Sequence, residues 1–307
     1  MVLTCDDISQ AAERLGPFVR TTPSLTVDGS ELDTSGTISL KLELLQHSGT
    51  FKARGASNFC LATEIGPAGV VAASGGNHGA AVAWAAKRLG HRATIFVPTI
   101  SAPAKVERLR HYGADVHQVG AVYAESLEAS REFTAETGAT PVHAYEAPLV
   151  MAGAGTIGLE LEAQVAALDT VLVACGGGGL VGGIATWLGS RTAVVACETK
   201  GTASFARALE AGKPVDIEIS GVAADALGAS RIGSLAWTQL QAANATSVVV
   251  DDEAVEGARN LLWDRFRLVT EPSAAVPIAA LVSGAYLPDP EAHVGVVVCG
   301  ANTAITL

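Results

Sequence analysis

The stretch from Val171 to Leu188 reads Val-Leu-Val-Ala-Cys-Gly-Gly-Gly-Gly-Leu-Val-Gly-Gly-Ile-Ala-Thr-Trp-Leu. It predicts a buried strand over Val171–Ala174, a glycine turn and a helix over Leu180–Leu188. Glycine permits a tight turn and lets backbone amides point at an anion, and a helix N-terminus adds about half a positive charge. The run Gly176–Gly179 is therefore a candidate phosphate cradle. A ligand-free turn is the alternative, although four consecutive glycines exceed what such a turn needs.

The same alternation of strand and helix extends along the chain. Further apolar, β-branched runs predict strands at Ile38–Leu42, Val70–Ala73, Thr94–Val97, Ala193–Cys197, Val248–Asp251 and Val294–Cys299. Helices are predicted at Asn77–Leu89, Pro103–Tyr112, Glu125–Thr137 and Asp252–Arg265. Strands that are apolar along their length and separated by helices indicate a parallel sheet covered on both faces. The predicted fold class is α/β. A closed eight-fold barrel is the competing architecture, but the sequence shows no eight-fold regularity.

Composition narrows the class of protein. The chain has 307 residues, of which 49% are hydrophobic and 17% charged, and its net charge is -11. Such a chain can bury a sizeable core, and its acidity argues against a general nucleic-acid binder. No apolar run approaches the roughly 20 residues of a membrane helix, and the N-terminus does not resemble a signal peptide. Five scattered cysteines without C-x-x-C spacing predict a reduced, cytoplasmic protein without disulfides or a zinc cluster.

A second glycine-rich turn follows the predicted strand Val70–Ala73. It reads Ser74-Gly-Gly-Asn-His78-Gly79 and leads into a helix. Its amides are suited to hold a carboxylate, by the same physics as the first turn. Ser74 and Asn77 are also ordinary residues at a helix start, so simple capping is an equal alternative. His78 is more readily interpreted as structural than as a base.

Two further segments carry a chemically useful side chain. Lys52 lies in Ser48-Gly-Thr-Phe-Lys-Ala-Arg-Gly55, where a helix is predicted to begin. The positive potential there lowers the pKa of an amine, and a partly neutral amine can form a Schiff base. A solvated surface lysine is the simpler interpretation of this residue alone. Cys299 follows the apolar run before it and, taken alone, is most often a small buried hydrophobe.

Together these segments resemble the threonine/serine dehydratase and serine racemase family. This family belongs to the fold-type-II, tryptophan-synthase-β-like group of pyridoxal-phosphate enzymes. The resemblance runs from Thr21-Thr-Pro23 to Asn302. The matching blocks, in order, are Ser48–Gly55, Ser74–Gly79, Ala152–Ile157, Gly176–Gly179, Glu271–Ser273 and Cys299–Asn302. Six blocks in order are far more specific than any single glycine motif.

The resemblance implies a cofactor, pyridoxal 5'-phosphate, and a site for it. Lys52 would form the Schiff base, Phe51 would pack near the ring, and Asn77 would hydrogen-bond the ring hydroxyl. Cys299 would face the pyridine nitrogen, with Glu271 nearby. The phosphate would be bound by Gly176, Gly177, Gly178, Gly179 and Leu180. The substrate carboxylate would be held by Ser74, Gly76, Asn77 and His78, largely through backbone amides.

The resemblance also implies an architecture and an assembly. Two open, twisted, mostly parallel sheets flanked by helices are expected. A small domain, residues 68–145, would be inserted into a large cofactor-binding domain formed by residues 1–67 and 146–307. The family's usual state is a homodimer. The expected partner is a small amino-acid substrate, with neither nucleic acid nor membrane.

The implied reaction is the dehydration and deamination of a 3-hydroxy-amino acid such as L-threonine or L-serine. The products would be a 2-oxo acid and ammonia, and the freed Lys52 amine would remove the α-proton. Racemisation of an amino acid and dehydration of 3-hydroxyaspartate are alternatives on the same fold. The related racemases carry a serine, as a second base, at the position of Gly75. Glycine has no proton to transfer, so little racemisation is predicted.

Other departures from the family pattern concern the substrate and a cation. Ala80 and Ala154 stand where family members usually have glutamine, and His143–Ala147 departs from the usual proline-led segment. Some members bind a divalent cation near the position of Glu198, with a second acid six residues on. Ser204 occupies that second position here, so no metal is predicted.

An NAD(P)-dependent oxidoreductase is the remote alternative. The segment Gly177-Gly-Gly-Leu-Val-Gly182 satisfies G-x-G-x-x-G, and Glu198 ends the next strand, where a ribose-binding acid belongs. This interpretation leaves Lys52, Asn77 and Cys299 without roles. A non-catalytic amino-acid or nucleotide sensor is a further alternative, although mere binding does not need a Schiff-base lysine.

Overall fold

The computed structural model describes residues 2–303 and contains ten strands in two sheets within that range. The strands are β1 Ser24–Asp28, β2 Thr37–Lys41, β3 Val70–Ala73, β4 Ala93–Val97, β5 Asp115–Gln118, β6 Thr140–Pro141, β7 Thr170–Ala174, β8 Ala193–Thr199, β9 Thr246–Val250 and β10 His293–Val297. The α-helices are α1 Cys5–Leu15, α2 Lys52–Ala62, α3 Asn77–Leu89, α4 Pro103–His111, α5 Tyr123–Thr137, α6 Pro148–Gln164, α7 Gly179–Leu188, α8 Ser204–Ala211, α9 Ala224–Leu227, α10 Ser234–Ala242, α11 Asp252–Phe266 and α12 Pro272–Val282. The predicted α/β class is confirmed.

The larger sheet has six strands in the order β1-β2-β10-β7-β8-β9. All its neighbours are parallel except β1, which pairs antiparallel with β2. Every residue of β7 is buried, as expected for a central parallel strand with helices on both faces. The carboxyl ends of β7 and β10 therefore open at the same edge, where ligands collect in such sheets.

The smaller sheet has four parallel strands in the order β5-β4-β3-β6. A second hydrophobic cluster packs around it, including the fully buried Val70, Ala81 and Ile95. Both sheets are open, so the eight-fold barrel is wrong. Among residues 2–303 no helix is long and apolar enough to cross a membrane.

Each predicted strand and helix is present, with ends within two residues of those observed. Several elements were not predicted, among them the antiparallel strand β1 and the helices α1, α6 and α12. β1 has only one buried position of five, so it lacks the apolar run that revealed the other strands of its sheet. Helices α6 and α12 are buried on most sides, and their apolar residues show little helical periodicity.

Glycines in α6 set the position of the two helices that carry the site. A Cβ at Gly153 would lie 2.7 Å from the carbonyl oxygen of Arg54 in α2. A Cβ at Gly155 would lie 2.9 Å from the carbonyl oxygen of Gly183 in α7. The small residues of the Ala152–Ile157 block thus let α2 and α7 approach α6 closely. They fix Lys52 and the glycine run relative to one another.

Candidate active site

The turn before α2 is joined to the end of β10 by backbone hydrogen bonds. Phe51 N donates to the carbonyl oxygen of Cys299 at 3.0 Å, and Ala301 N donates to that of Gly49 at 2.9 Å. Thr50 also forms an antiparallel bridge with Gly300. Two segments from opposite ends of the chain therefore place Lys52 next to Cys299.

A cavity of about 540 Å³ lies at the carboxyl ends of β3, β7 and β10. Its lining includes every site residue expected from the sequence: Phe51, Lys52, Ser74, Gly76, Asn77, His78, Gly176, Gly177, Gly178, Gly179, Leu180, Glu271 and Cys299. The four separate motifs converge on one space. This convergence favours ligand binding over simple capping at Ser74 and over a surface position for Lys52.

The Lys52 amine has lost most of its water. Its Nζ donates to the carbonyl oxygen of Ala144 at 2.8 Å and lies 5.0 Å from the centre of the Phe51 ring. Burial lowers the pKa of Lys52 to about 8, and the nearby Cys299 and Glu271 only partly oppose this shift. The expected direction of the shift is confirmed, and its main cause is lost solvation. At pH 7 roughly a tenth of such an amine is neutral, against less than about one part in a thousand for an ordinary lysine.

The glycine run leaves no room for side chains. A Cβ at Gly177 would lie 2.5 Å from the Tyr145 ring, and one at Gly179 would lie 2.9 Å from the Tyr145 Cβ. Gly178 has φ +84°, a left-handed conformation that L side chains rarely adopt. The glycine run itself therefore offers only backbone to the cavity, at the start of α7 where amides lack helical partners. A phosphate fits such a cradle.

The amide of Asn77 is oriented by a buried carboxylate. Its Nδ2 donates to both oxygens of Glu271, at 2.8 and 2.9 Å. Burial raises the pKa of Glu271, although its hydrogen bonds with the Asn77 amide oppose the shift. Within residues 2–303, Asn77 Oδ1 and Ser273 Oγ are buried and have no hydrogen-bond partner. Both residues line the cavity, so a ligand with polar ring substituents, such as pyridoxal phosphate, would satisfy them.

His78 and Cys299 are held uncharged. His78 Nε2 bonds the carbonyl oxygen of Val142 at 2.8 Å, and burial together with the charge of Lys52 lowers the pKa of His78 to about 3. A neutral imidazole that donates to a carbonyl ties α3 to the end of β6, which supports its structural interpretation. Burial raises the pKa of the Cys299 thiol far above its usual range, so the thiol stays neutral.

Several cavity residues were given no role from the sequence. Ser273 lay within a recognised block, but nothing marked its hydroxyl as unpaired. Tyr145 lies in the segment that departs from the family pattern. Lys105 of α4 and Asp225 of α9 line the cavity and form an ion pair of 2.5 Å between the two sheets. No local motif could reveal this pair, because its members are far apart in sequence.

Glu198 does not face the cavity. Its carboxylate is fully buried and accepts hydrogen bonds from Phe205 N, Ala206 N and Ser247 Oγ. It is therefore unavailable to a ribose, which removes the support for the dinucleotide interpretation. Among the described residues no group of three side chains is arranged to hold a metal ion.

An amine of lowered pKa, a glycine run shaped to fit a phosphate and a neutral thiol meet in one cavity between two mostly parallel sheets. This combination defines a fold-type-II enzyme that uses pyridoxal phosphate. The chain belongs to the family of pyridoxal-phosphate dependent enzymes, whose sequence profile matches residues 15–300.

Individual relatives agree with this assignment. The chain is 36% identical over 312 residues to a phenylserine dehydratase of Ralstonia pickettii, covering 98% of this chain and 94% of the relative. A threonine deaminase of T.th. superimposes with a TM-score of 0.92 at 35% identity, over 99% of this chain and 100% of that structure. The serine racemase of maize superimposes with a TM-score of 0.93 at 31% identity, over 99% of this chain and 95% of the other.

Proposed function

We propose that the chain is a pyridoxal-phosphate dependent ammonia-lyase that acts on a 3-hydroxy-amino acid such as L-threonine or L-serine. The observation that carries this proposal is the half-buried Lys52 side chain, with its pKa lowered to about 8, in the same cavity as the glycine run. The similarity to a phenylserine dehydratase and a threonine deaminase supports the reaction class.

Pyridoxal phosphate supplies, when bound, a conjugated ring that accepts electrons from the α-carbon of the substrate. Lys52 is proposed to hold the cofactor covalently and then, as a free amine, to take the α-proton as general base. Loss of that proton and of the β-hydroxyl, followed by hydrolysis, gives the 2-oxo acid and ammonia. The amides of Ser74, Gly76, Asn77 and His78 are proposed to orient the substrate carboxylate at the start of α3.

The remaining site residues are proposed to hold the cofactor. Gly176 to Gly179 and Leu180 would cradle its phosphate, and Phe51 would pack near its ring. Asn77, kept in one orientation by Glu271, would bond the ring hydroxyl. Cys299 would face the ring nitrogen, where a neutral thiol leaves that nitrogen unprotonated. The weaker electron sink should favour prompt elimination over transamination. Unchanged product partitioning in Cys299→Asp would refute this last point.

The lining of the cavity also bears on the alternative reactions. Gly75 offers no side chain for a second proton transfer, which favours dehydration over racemisation. Its nearest neighbour is Val97 Cγ1, 3.4 Å from where a Cβ would stand. Lys105 is the cation that a substrate with a second carboxylate would use, and Asp225 already neutralises it. This pairing favours 3-hydroxy-amino acids with uncharged side chains over 3-hydroxyaspartate.

A substrate panel tests the proposal. Purified protein with added pyridoxal phosphate should release equal amounts of ammonia and 2-oxo acid from at least one of L-serine, L-threonine and L-phenylserine. L-Alanine is the matched control, because it has no β-hydroxyl to lose. Absence of 2-oxo acid from the whole panel, in a protein that has bound the cofactor, would contradict the proposed reaction.

We also propose that residues 68–145 form a small domain inserted in the large one, and that the protein is a cytoplasmic homodimer. The smaller sheet lies wholly between residues 70 and 141, which supports the division. The free thiols of Cys5, Cys60, Cys175, Cys197 and Cys299 suit a reducing compartment. Light scattering coupled to size exclusion should give twice the mass of the chain. A mass of 31.2 kDa would contradict the dimer.

A further inference from the structure

Glu198 is a buried carboxylate for which the proposed reaction has no use. Its side chain has no solvent exposure, and its hydrogen-bond donors are uncharged. A buried carboxylate is costly unless its lone pairs are satisfied. Glu198 lies near the carboxyl end of β8. The neighbouring strand β7 leads into the glycine run, so the hydrogen bonds of Glu198 are placed to act on that run.

Glu198 caps the N-terminus of helix α8. The residue before this helix is Ala203, which has no side-chain oxygen to accept from the free amides of the first turn. Glu198 Oε1 accepts from Phe205 N at 2.8 Å, and Oε2 accepts from Ala206 N at 2.8 Å. Ser247 Oγ, from β9, donates to Oε2 at 2.7 Å. The start of α8 is thereby fixed to the sheet.

The first residue of α8 reaches the cofactor cradle. Ser204 Oγ donates to the carbonyl oxygen of Gly176 at 2.7 Å, and Ser204 has no solvent exposure. Gly176 is the first glycine of the run, and it lacks a side chain that could hold it in place by packing. One continuous path therefore runs from Glu198 through the start of α8 and Ser204 to Gly176.

We propose that Glu198 and Ser204 are positioning residues that hold the glycine run in the shape that receives the cofactor phosphate. The proposal rests on the function proposed above, since it presumes a phosphate in that cradle. Both oxygens of the Glu198 carboxylate accept from protein donors, so the arrangement needs no bound cation. Neither residue touches the cavity, and each acts through the backbone of Gly176.

The removal of one hydroxyl tests the proposal. In Ser204→Ala the Gly176 carbonyl loses its donor, and we expect the Kd for pyridoxal phosphate to rise about fivefold to tenfold. The Kd for pyridoxal, which lacks the phosphate, should change less than about twofold. Both constants are measured by absorbance titration of the apo-protein. The matched control is Ser126→Ala, since Ser126 is equally buried and donates to the Val119 carbonyl at 2.7 Å, outside the cavity lining.

The comparison of the two ligands separates positioning from general structural damage. A loss of fold would weaken pyridoxal and pyridoxal phosphate alike, and that equal loss would overturn the proposal. An unchanged Kd for pyridoxal phosphate would also overturn it. If the wild-type protein binds pyridoxal phosphate at Lys52 and Ser204→Ala binds it with the same Kd, the positioning role fails and the proposed function stands. A wild-type protein that binds no pyridoxal phosphate would instead refute the proposed function.

Glu198→Gln supplies a second, independent test. An amide cannot accept from both Phe205 N and Ala206 N, because one of its ends carries hydrogens. We expect the same selective loss of affinity for pyridoxal phosphate, about tenfold or more. Treatment of the wild-type protein with EDTA should leave that affinity unchanged. A divalent cation that tightens cofactor binding in wild type would contradict the role assigned to the protein donors.

Discussion

Helix α2 carries two cations in its first turn, two residues apart: Arg54 is buried and Lys52 is half-buried, and their pKa values shift in opposite directions. Burial alone would lower the pKa of Arg54, but Glu43 and Glu160 outweigh it and raise that pKa. Arg54 makes bonds of 2.7 Å with both carboxylates. The Lys52 amine donates to the carbonyl of Ala144, and the pKa of Lys52 falls to about 8. One cation is held permanently charged, and the other is made ready to lose its proton.

The difference shows what makes a lysine reactive. Burial acts on both residues, so burial alone does not decide the outcome. Lys41 is an intermediate case. Burial lowers its pKa, while the Glu160 carboxylate, 2.7 Å from its amine, opposes that shift. A carboxylate in direct contact keeps a buried cation charged. Among the described residues none forms an ion pair with Lys52, and the more distant Glu271 only partly opposes the shift, which favours the neutral, nucleophilic amine.

Removal of the reactive cation should have the largest effect. Lys52→Ala loses the covalent attachment and the general base, so 2-oxo acid release should fall by about a thousandfold or more. Lys87→Ala, which removes an exposed lysine of α3, is the control and should leave the rate unchanged. Activity above about a tenth of wild type in Lys52→Ala would break the assignment.

Removal of the permanent cation should damage the fold. Arg54→Met leaves the buried Glu43 without its cationic partner and leaves Glu160 paired with Lys41 alone, and we expect the free energy of unfolding to fall by about 3–5 kcal/mol. Urea denaturation of the apo-protein measures it, with Arg88→Met on the surface of α3 as control. A loss below about 1 kcal/mol would mean that the charged cluster contributes little.

A carboxylate placed next to Lys52 should keep its amine charged, as Glu43 and Glu160 keep Arg54 charged. In the wild-type apo-protein, the rate of pyridoxal phosphate capture should rise with pH through a midpoint near 8, because only the neutral amine attacks. Cys299→Asp stabilises the ammonium, which raises the pKa of Lys52 and moves the midpoint upward by about 1 unit or more. Cys299→Asn is the uncharged control. If the Asp and Asn variants captured pyridoxal phosphate with the same pH midpoint, a nearby negative charge would not control the pKa of Lys52.

The smallest expected effect concerns a second proton donor. Gly75→Ser places a hydroxyl in the cavity, where the nearest atom is 3.4 Å from the new Cβ. It should produce detectable D-serine from L-serine at a few per cent of the rate of pyruvate formation, whereas Gly75→Ala should not. D-Serine formation by the wild-type protein at a rate near that of pyruvate would show that Lys52 is not the only base.

The site residues that could be predicted from the sequence lie in short local motifs. The glycine run, Asn77 and Lys52 each follow a strand or begin a helix, so their placement follows from element order. The residues that contact these motifs come from distant segments. Glu271 accepts from the Asn77 amide, and Tyr145 lies against Gly177. Ser204 donates to the carbonyl oxygen of Gly176. These contacts depend on tertiary packing, which no local spacing encodes. The lowered pKa of Lys52 was expected, yet its main cause is burial, a property of the assembled cavity.

Lys52 is proposed to carry the cofactor. Borohydride reduction of the yellow protein, followed by proteolysis and mass mapping of peptides, tests it directly. We predict that the reduced pyridoxyl-phosphate mass is found on the peptide containing Lys52 and nowhere else. A label on any other lysine, with Lys52 unmodified, would contradict the account.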